Sequence, residues 1–185
     1  MGKYFVKAGK ENTEETLKLA VEEAKKRGIN YLVVASTTGE TGIKAVEMAK
    51  GTGIKVIIVT HNYGFKEEGK LEMSQEIREK IEANGGKVYT GTMVLRGLGG
   101  ALKKTAGYSE ELIVADTLRI FGQGMKVCVE MAAMVSDAGL VPPGDIIAVA
   151  GTGRGADTAV IIRATSSNRF FEIKVREIIA KPYDF

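Results

Sequence analysis

Three segments of the chain, Tyr31–Ala35, Ile54–Val59 and Asp145–Ala150, each carry at least four consecutive apolar residues with no polar residue among them. A strand of that kind has no face for water and must be covered on both sides. The intervening stretches read as helices, so the pattern predicts an α/β fold with a largely parallel sheet. Lys87–Thr90 reads as a further strand and Val175–Ala180 as a last one. Thr158–Arg163 follows Asp145–Ala150 after only a short glycine-rich link. Such a link is too short for a helical crossover, so this pair is expected to be antiparallel.

The helices are marked by their ends. Asn12-Thr13-Glu14-Glu15 reads as a capping box, with Leu17, Ala20, Val21 and Ala24 at helical spacing and Gly28 as the stop. Ile43–Lys50 forms a short helix, Leu71–Ala83 an amphipathic one closed by Asn84-Gly85-Gly86, and Ser109 caps a helix running to about Phe121. Gly122-Gln123-Gly124 breaks the chain before a helix from Met125 to about Ala138. Gly91–Gly107, with five glycines, is expected to be a loop. The whole of 1–185 is expected to form one domain.

The 185 residues hold 26 basic and 23 acidic side chains, interleaved, for a net charge of +3. No basic run indicates nucleic-acid binding. No apolar run is long enough to span a bilayer. The first residues lack the apolar core of a signal peptide, and Val6 stands where a myristoylation signal needs Ser or Thr. The single cysteine, Cys128, reads as a core filler, and with it a reducing, cytoplasmic location is expected. One histidine, His61, excludes a zinc site built from several His and Cys ligands, so no metal is expected.

The candidate chemistry lies in the loops. Ser36, Thr37, Thr38, Gly39 and Thr41 sit between a buried strand and a helix, and four hydroxyls are more than one cap requires. Together with the N–H groups of the helix start they suit a phosphate. His61 and Asn62 follow the next strand at its carboxyl end, where ligands of such sheets bind. Gly151, Thr152, Gly153, Gly155, Asp157 and Thr158 form a glycine turn expected beside the same ligand, with Arg154 and Asp157 either facing the pocket or pairing on the surface. The turn formally matches a dinucleotide fingerprint, but a strand follows it where a helix is required. Gly64 to Lys70 nearly matches a P-loop, but Leu71 replaces the magnesium-binding Ser or Thr. Lys126 and Glu130 are one helical turn apart, and Glu130 with Asp137 reads as a solvated stripe. No catalytic triad or carboxylate pair is assignable, and the catalytic residues are left open.

Val33-Val34-Ala35-Ser36-Thr37-Thr38-Gly39-Glu40-Thr41 and Ile57-Ile58-Val59-Thr60-His61 resemble the pyruvate kinase C-terminal domain, in which such a loop forms an effector-phosphate site. Lys10–Glu14, Lys126–Glu130 and Gly153–Ala159 are similar to a family of stand-alone archaeal proteins with that fold, which bind flavin mononucleotide (FMN). The resemblance implies a three-layer α/β/α fold whose five-stranded core sheet has order 3-2-1-4-5, the last strand, 158–163, antiparallel. It implies no pyruvate kinase activity, since the catalytic barrel is absent. Ser166 and Asn62 stand where the family commonly has histidines, so a role of those histidines does not carry over.

Two functions are expected to compete. One is a binding module for a phosphorylated small molecule, FMN first, held by the residues named above. The other is an enzyme acting on or through that ligand, with His61 or Asp157 moving a proton. A homo-oligomer is compatible with either. No nucleic-acid or membrane partner is expected.

Overall fold

The computed structural model describes residues 2–185. Seven strands form one sheet: β1 (Lys3–Lys7), β2 (Tyr31–Ala35), β3 (Lys55–Val59), β4 (Lys87–Tyr89), β5 (Gly144–Ala150), β6 (Thr158–Ala164) and β7 (Lys174–Asp184). Six α-helices accompany them: α1 (Thr13–Arg27), α2 (Glu40–Ala49), α3 (Gln75–Ala83), α4 (Gly97–Ala106), α5 (Glu110–Arg119) and α6 (Gln123–Asp137). The strand order is β1-β7-β6-β5-β2-β3-β4.

The strands expected from apolar runs lie side by side within this sheet, and β5 and β6 pair antiparallel from Gly144↔Ala164 to Ala150↔Thr158. The sheet is nonetheless seven-stranded, not five-stranded. Nor is β6 its last strand, because β7 pairs antiparallel on its far side and β1 lies parallel beyond that. The strand expected at Val175–Ala180 lies within β7, whereas β1 carries a weak apolar signal and is not marked in the sequence. In β1 only Phe5 is buried, and β7 begins with exposed Lys174, Val175 and Arg176 before Ile179 and Ala180 turn inward.

The strand residues alternate between two cores. Leu32, Val34, Ile58, Ile147 and Val149 pack under α1, α2 and α3 through Leu17, Ala20, Val46 and Ile81. Val33, Ile57, Ile146, Ala148 and Ile162 face α6 through Cys128, Met131, Ala132 and Val135. Fully buried Leu and Ile side chains contribute about 1.5–3 kcal/mol each, so the two-sided burial of β2 and β5 anchors the fold. Those are the strands that the sequence marks most strongly.

Two local expectations are corrected. Gly91–Gly107 is not a loop throughout, because α4 forms over Gly97–Ala106 despite its glycines. Gly99 there packs so closely on Ser109 that an added Cβ would lie 2.6 Å from its hydroxyl. Asn12 makes no capping bond to α1; its amide reaches back to Lys7 O at 2.9 Å. Thr13 donates to Lys10 O and accepts from Ala156 N–H at 3.0 Å, which ties the start of α1 to the β5–β6 turn. Gly28 and Ser109 act as read, the first left-handed at φ 64° after α1, the second accepting from Leu112 N–H.

Candidate functional site

β2 and β5 run parallel as neighbours, with Leu32 opposite Ile147 and Val34 opposite Val149. The chain leaves β2 for α2 and β3 on one side, and β5 turns back into β6 on the other. A crevice opens at such a divergence, at the carboxyl ends of the strands. It is a cleft of about 310 Å³, lined by Ser36, Thr37, Thr38 and Thr41 from one loop and Gly151, Gly153, Arg154 and Gly155 from the other. His61, Glu72, Gln123 and Val127 close it. A smaller cavity of about 90 Å³ shares Ser36, Thr37, His61 and Gln123 and extends to Lys126 and Glu130.

The first loop is built around the start of α2. Gly39 stands at its N-cap with φ 97°, a conformation natural to glycine, and an added Cβ would collide with Ile77 of α3. The first N–H groups of a helix have no partner within it. Ser36 Oγ accepts one of them, Gly42 N–H, at 3.0 Å. The N–H groups of Glu40 and Thr41 are free of intrahelical partners and carry the positive end of the helix dipole toward the cleft. Ser36 is therefore a capping residue, while Thr37 and Thr38 stay at the open rim and Thr41 is buried behind them.

The second loop divides differently. Asp157 is wholly buried and does not line the cleft. Its Oδ2 accepts from Gly9 N–H at 3.2 Å and Thr152 N–H at 3.1 Å, and its Oδ1 from Thr158 Oγ1 at 2.8 Å. The expected pocket carboxylate is thus a structural clasp joining the β1–α1 connection to the β5–β6 turn. Thr158 is buried with it, against Gly124 of α6, where a Cβ would come within 2.3 Å of its hydroxyl. Gly151 and Gly155 allow close approach of protein to protein: a Cβ on Gly151 would meet Gly155 O at 2.5 Å, and one on Gly155 would meet Thr13 Oγ1 at 2.4 Å. Gly153, at φ 77°, has open space around it. Thr152 Oγ1 is buried without a hydrogen-bond partner.

His61 lies at the cleft wall, its Nδ1 2.7 Å from Glu72 Oε2, with 36% of its side chain exposed. Its ring packs against that of Phe65, the centroids 4.0 Å apart and the planes tilted by 40°. Asn62 does not join the cleft: its amide bonds to Tyr63 O, and the residue lines a separate groove. Glu72 carries no signal in the sequence, since it falls in an irregular segment eleven residues after His61. Gln123 and Val127 were equally hidden, the first between two glycines and the second within an ordinary apolar helix.

Beneath the cleft, Lys126 and Glu130 form an ion pair with each side chain only 2% exposed. Glu130 also accepts Leu95 N–H at 2.7 Å and Arg96 N–H at 3.2 Å. Burial holds the Lys126 ammonium below its ordinary pKa, with the Glu130 carboxylate opposing that shift. The expected solvated stripe is thus a sealed pair. Asp137 lies apart, accepting from Ser167 N–H at 2.8 Å. Cys128 is fully buried, and burial pushes its thiol far above the usual range, so it is inert as a nucleophile. No helix among the described residues is long and apolar enough to cross a membrane.

An α/β layer protein with its cleft at the carboxyl edge of a mixed sheet is the class that this geometry defines. Residues 14–162 match the family model described as the pyruvate kinase alpha/beta domain. The chain belongs to that family. Among solved structures it is similar to a Cryptosporidium parvum pyruvate kinase in complex with ADP, at 18% identity, TM-score 0.45, over 82% of this chain and 23% of that one. It is also similar to a hydrogen sulfide-producing enzyme of Fusobacterium nucleatum, at 24% identity, TM-score 0.32, over 51% of this chain and 30% of that one. The chain therefore spans less than a quarter of the length of that pyruvate kinase.

Proposed function

We propose that the cleft binds a phosphorylated small molecule, with FMN the first candidate. The observation that carries this reading is the start of α2: one helix N–H is capped by Ser36, while those of Glu40 and Thr41 have no intrahelical partner, beside the hydroxyls of Thr37 and Thr38. Arg154 adds a positive charge on the opposite rim, against the carboxylate of Glu40. The volume is at the lower end for ligand sites, ~300–1,000 Å³. The donor set suits the phosphate of FMN, and Ala35, Val127 and His61 offer surfaces for its ring. The choice of FMN over other phosphorylated molecules rests on the resemblance carried by Lys126–Glu130 and Gly153–Ala159.

The test is titration of the purified protein with FMN and with riboflavin, followed by flavin fluorescence. FMN is expected to bind and riboflavin to bind more weakly. Thr38→Ala with Thr41→Ala is expected to weaken FMN by about 1–3 kcal/mol per lost charge-assisted bond. Equal affinity for FMN and riboflavin, or an unchanged double variant, overturns the phosphate assignment.

A second reading, an enzyme, is favoured by His61 alone. Glu72 fixes its Nδ1, so the ring is oriented and Nε2 is left to exchange a proton with a ligand in the cleft. Bound FMN would supply redox chemistry there. Because His61 also offers a surface to the ring, His61→Gln is expected to weaken FMN somewhat and, at saturating FMN, to abolish any turnover found with the wild type.

A further inference from the structure

We propose that a second site, next to the cleft, binds a small organic polyphosphate of the nucleoside di- or triphosphate kind. The site is a groove of about 1100 Å³ between the segment after β3 and helices α4 and α5. It goes beyond the cleft reading and does not depend on it.

Charge is the first argument. Arg96, Lys103, Lys104 and Arg119 line the groove against one carboxylate, Asp116, which Arg119 holds at 2.5 Å. Four cations against one acid give a local excess of three, equal to the net charge of +3 of the whole chain. Elsewhere the charges compensate. Arg96, Lys103 and Lys104 enter no ion pair among the described residues, although most basic residues of α1 do. Unpaired cations gathered in a concave surface focus a positive potential there.

Spacing is the second argument. Arg96 and Lys103 are separated by two turns of α4, about 10 Å along its axis at ~1.5 Å per residue. Extended from their own turns, the two side chains span a chain of phosphates attached to a larger body better than a single small anion. The rest of the lining suits such a body: Met93, Leu98 and Leu112 are apolar, and Leu98 is 69% exposed with nothing covering it.

The groove also communicates with the cleft through two contacts. Arg96 lies over the Phe65 ring at 5.0 Å, and the Phe65 ring packs at a tilt against that of His61. Arg119 Nε donates to Gln123 Oε1 at 2.7 Å, and Gln123 lines the cleft. An anion that draws Arg96 or Arg119 toward itself acts on a residue that touches the first ligand. Two adjacent sites of this kind would hold two phosphorylated molecules side by side.

Isothermal titration at low, constant ionic strength with ADP and with inorganic pyrophosphate tests the proposal. Both probes are expected to bind the wild-type chain. Lys103→Gln with Lys104→Gln, both at exposed positions, is expected to weaken each by about tenfold or more. Lys25→Gln with Lys174→Gln removes the same charge elsewhere and is expected to change affinity by less than about twofold. FMN titrations of all three proteins are expected to agree, because Lys103 and Lys104 do not line the cleft. Absence of ADP and pyrophosphate binding to the wild type overturns the proposal. So does equal loss in the two double variants, or a single-stranded oligonucleotide binding more tightly than ADP. Loss of FMN binding by Thr38→Ala with Thr41→Ala, with ADP binding retained, separates the fate of the cleft from that of the groove.

Discussion

The loops after β2 and β5 face each other across the cleft, and both are rich in residues that bind anions elsewhere. They use those residues in opposite ways. The β2 loop gives one hydroxyl, Ser36, to its own helix and keeps Thr37 and Thr38 at the rim. The β5 loop turns its strongest polar group inward, where Asp157 gathers Gly9, Thr152 and Thr158. The difference follows from what each strand leads into. A helix start leaves N–H groups pointing outward along its axis. A tight hairpin must satisfy its own turning backbone, and a buried carboxylate accepts several N–H groups at once.

Substitutions can break this contrast. Asp157→Ala should have the largest effect. It strips three donors of their acceptor at a cost of about 3 kcal/mol, lowering the thermal midpoint by roughly 6–12 °C. If scanning calorimetry shows a drop below about 2 °C, the clasp is not structural. Gly153→Val comes next. Space is open around Gly153, but its φ of 77° strains a β-branched residue by about 1–2 kcal/mol. The variant should therefore lose some stability, which urea denaturation measures apart from any loss of the FMN binding proposed above. Ser36→Ala should cost about 1 kcal/mol, as the loss of a helix cap does. Thr38→Ala should stay within about 0.5 kcal/mol of wild type, as an exposed site does. Equal losses at positions 36 and 38 in the same denaturation series would erase the distinction between scaffold and rim.

The sequence made the sheet centre legible because burial on both faces leaves a signature in composition. β2, β3 and β5 were visible for that reason, and the β5–β6 hairpin from the length of its link. β1 was hidden because an edge strand buries little: Phe5 alone cannot mark a strand. β7 was legible over Val175–Ala180, but its exposed first residues and its continuation to Asp184 were not. α4 was hidden by its glycines, which lower helix propensity but here permit close packing on Ser109. At the cleft, residue types pointed to two loops that the fold brings together, without separating their roles. Ser36 and Thr38 look alike on paper, and only the direction of the α2 start distinguishes them. Glu72 and Gln123 reach the cleft through tertiary placement, which no local pattern encodes. Glu130 read as solvated because an acid two turns before another suggests a wet face. Its burial depends on Lys126 and on the backbone of Leu95 and Arg96, distant in sequence.

The pairing of β1 with β7 bears on the order in which the molecule is made. Lys3 lies opposite Ala180 and Lys7 opposite Asp184, so almost the whole chain separates the partners. Closing so long a loop is entropically slow. During synthesis β1 leaves the ribosome before β7 and has no strand to pair with until β7 is completed beside β6. The clasp of Asp157 on Gly9 suggests how that wait is shortened. Once the hairpin of β5 and β6 has formed, it holds the base of β1 near its eventual neighbour before that neighbour exists. The strand written first would then be set in place last, with its address already fixed.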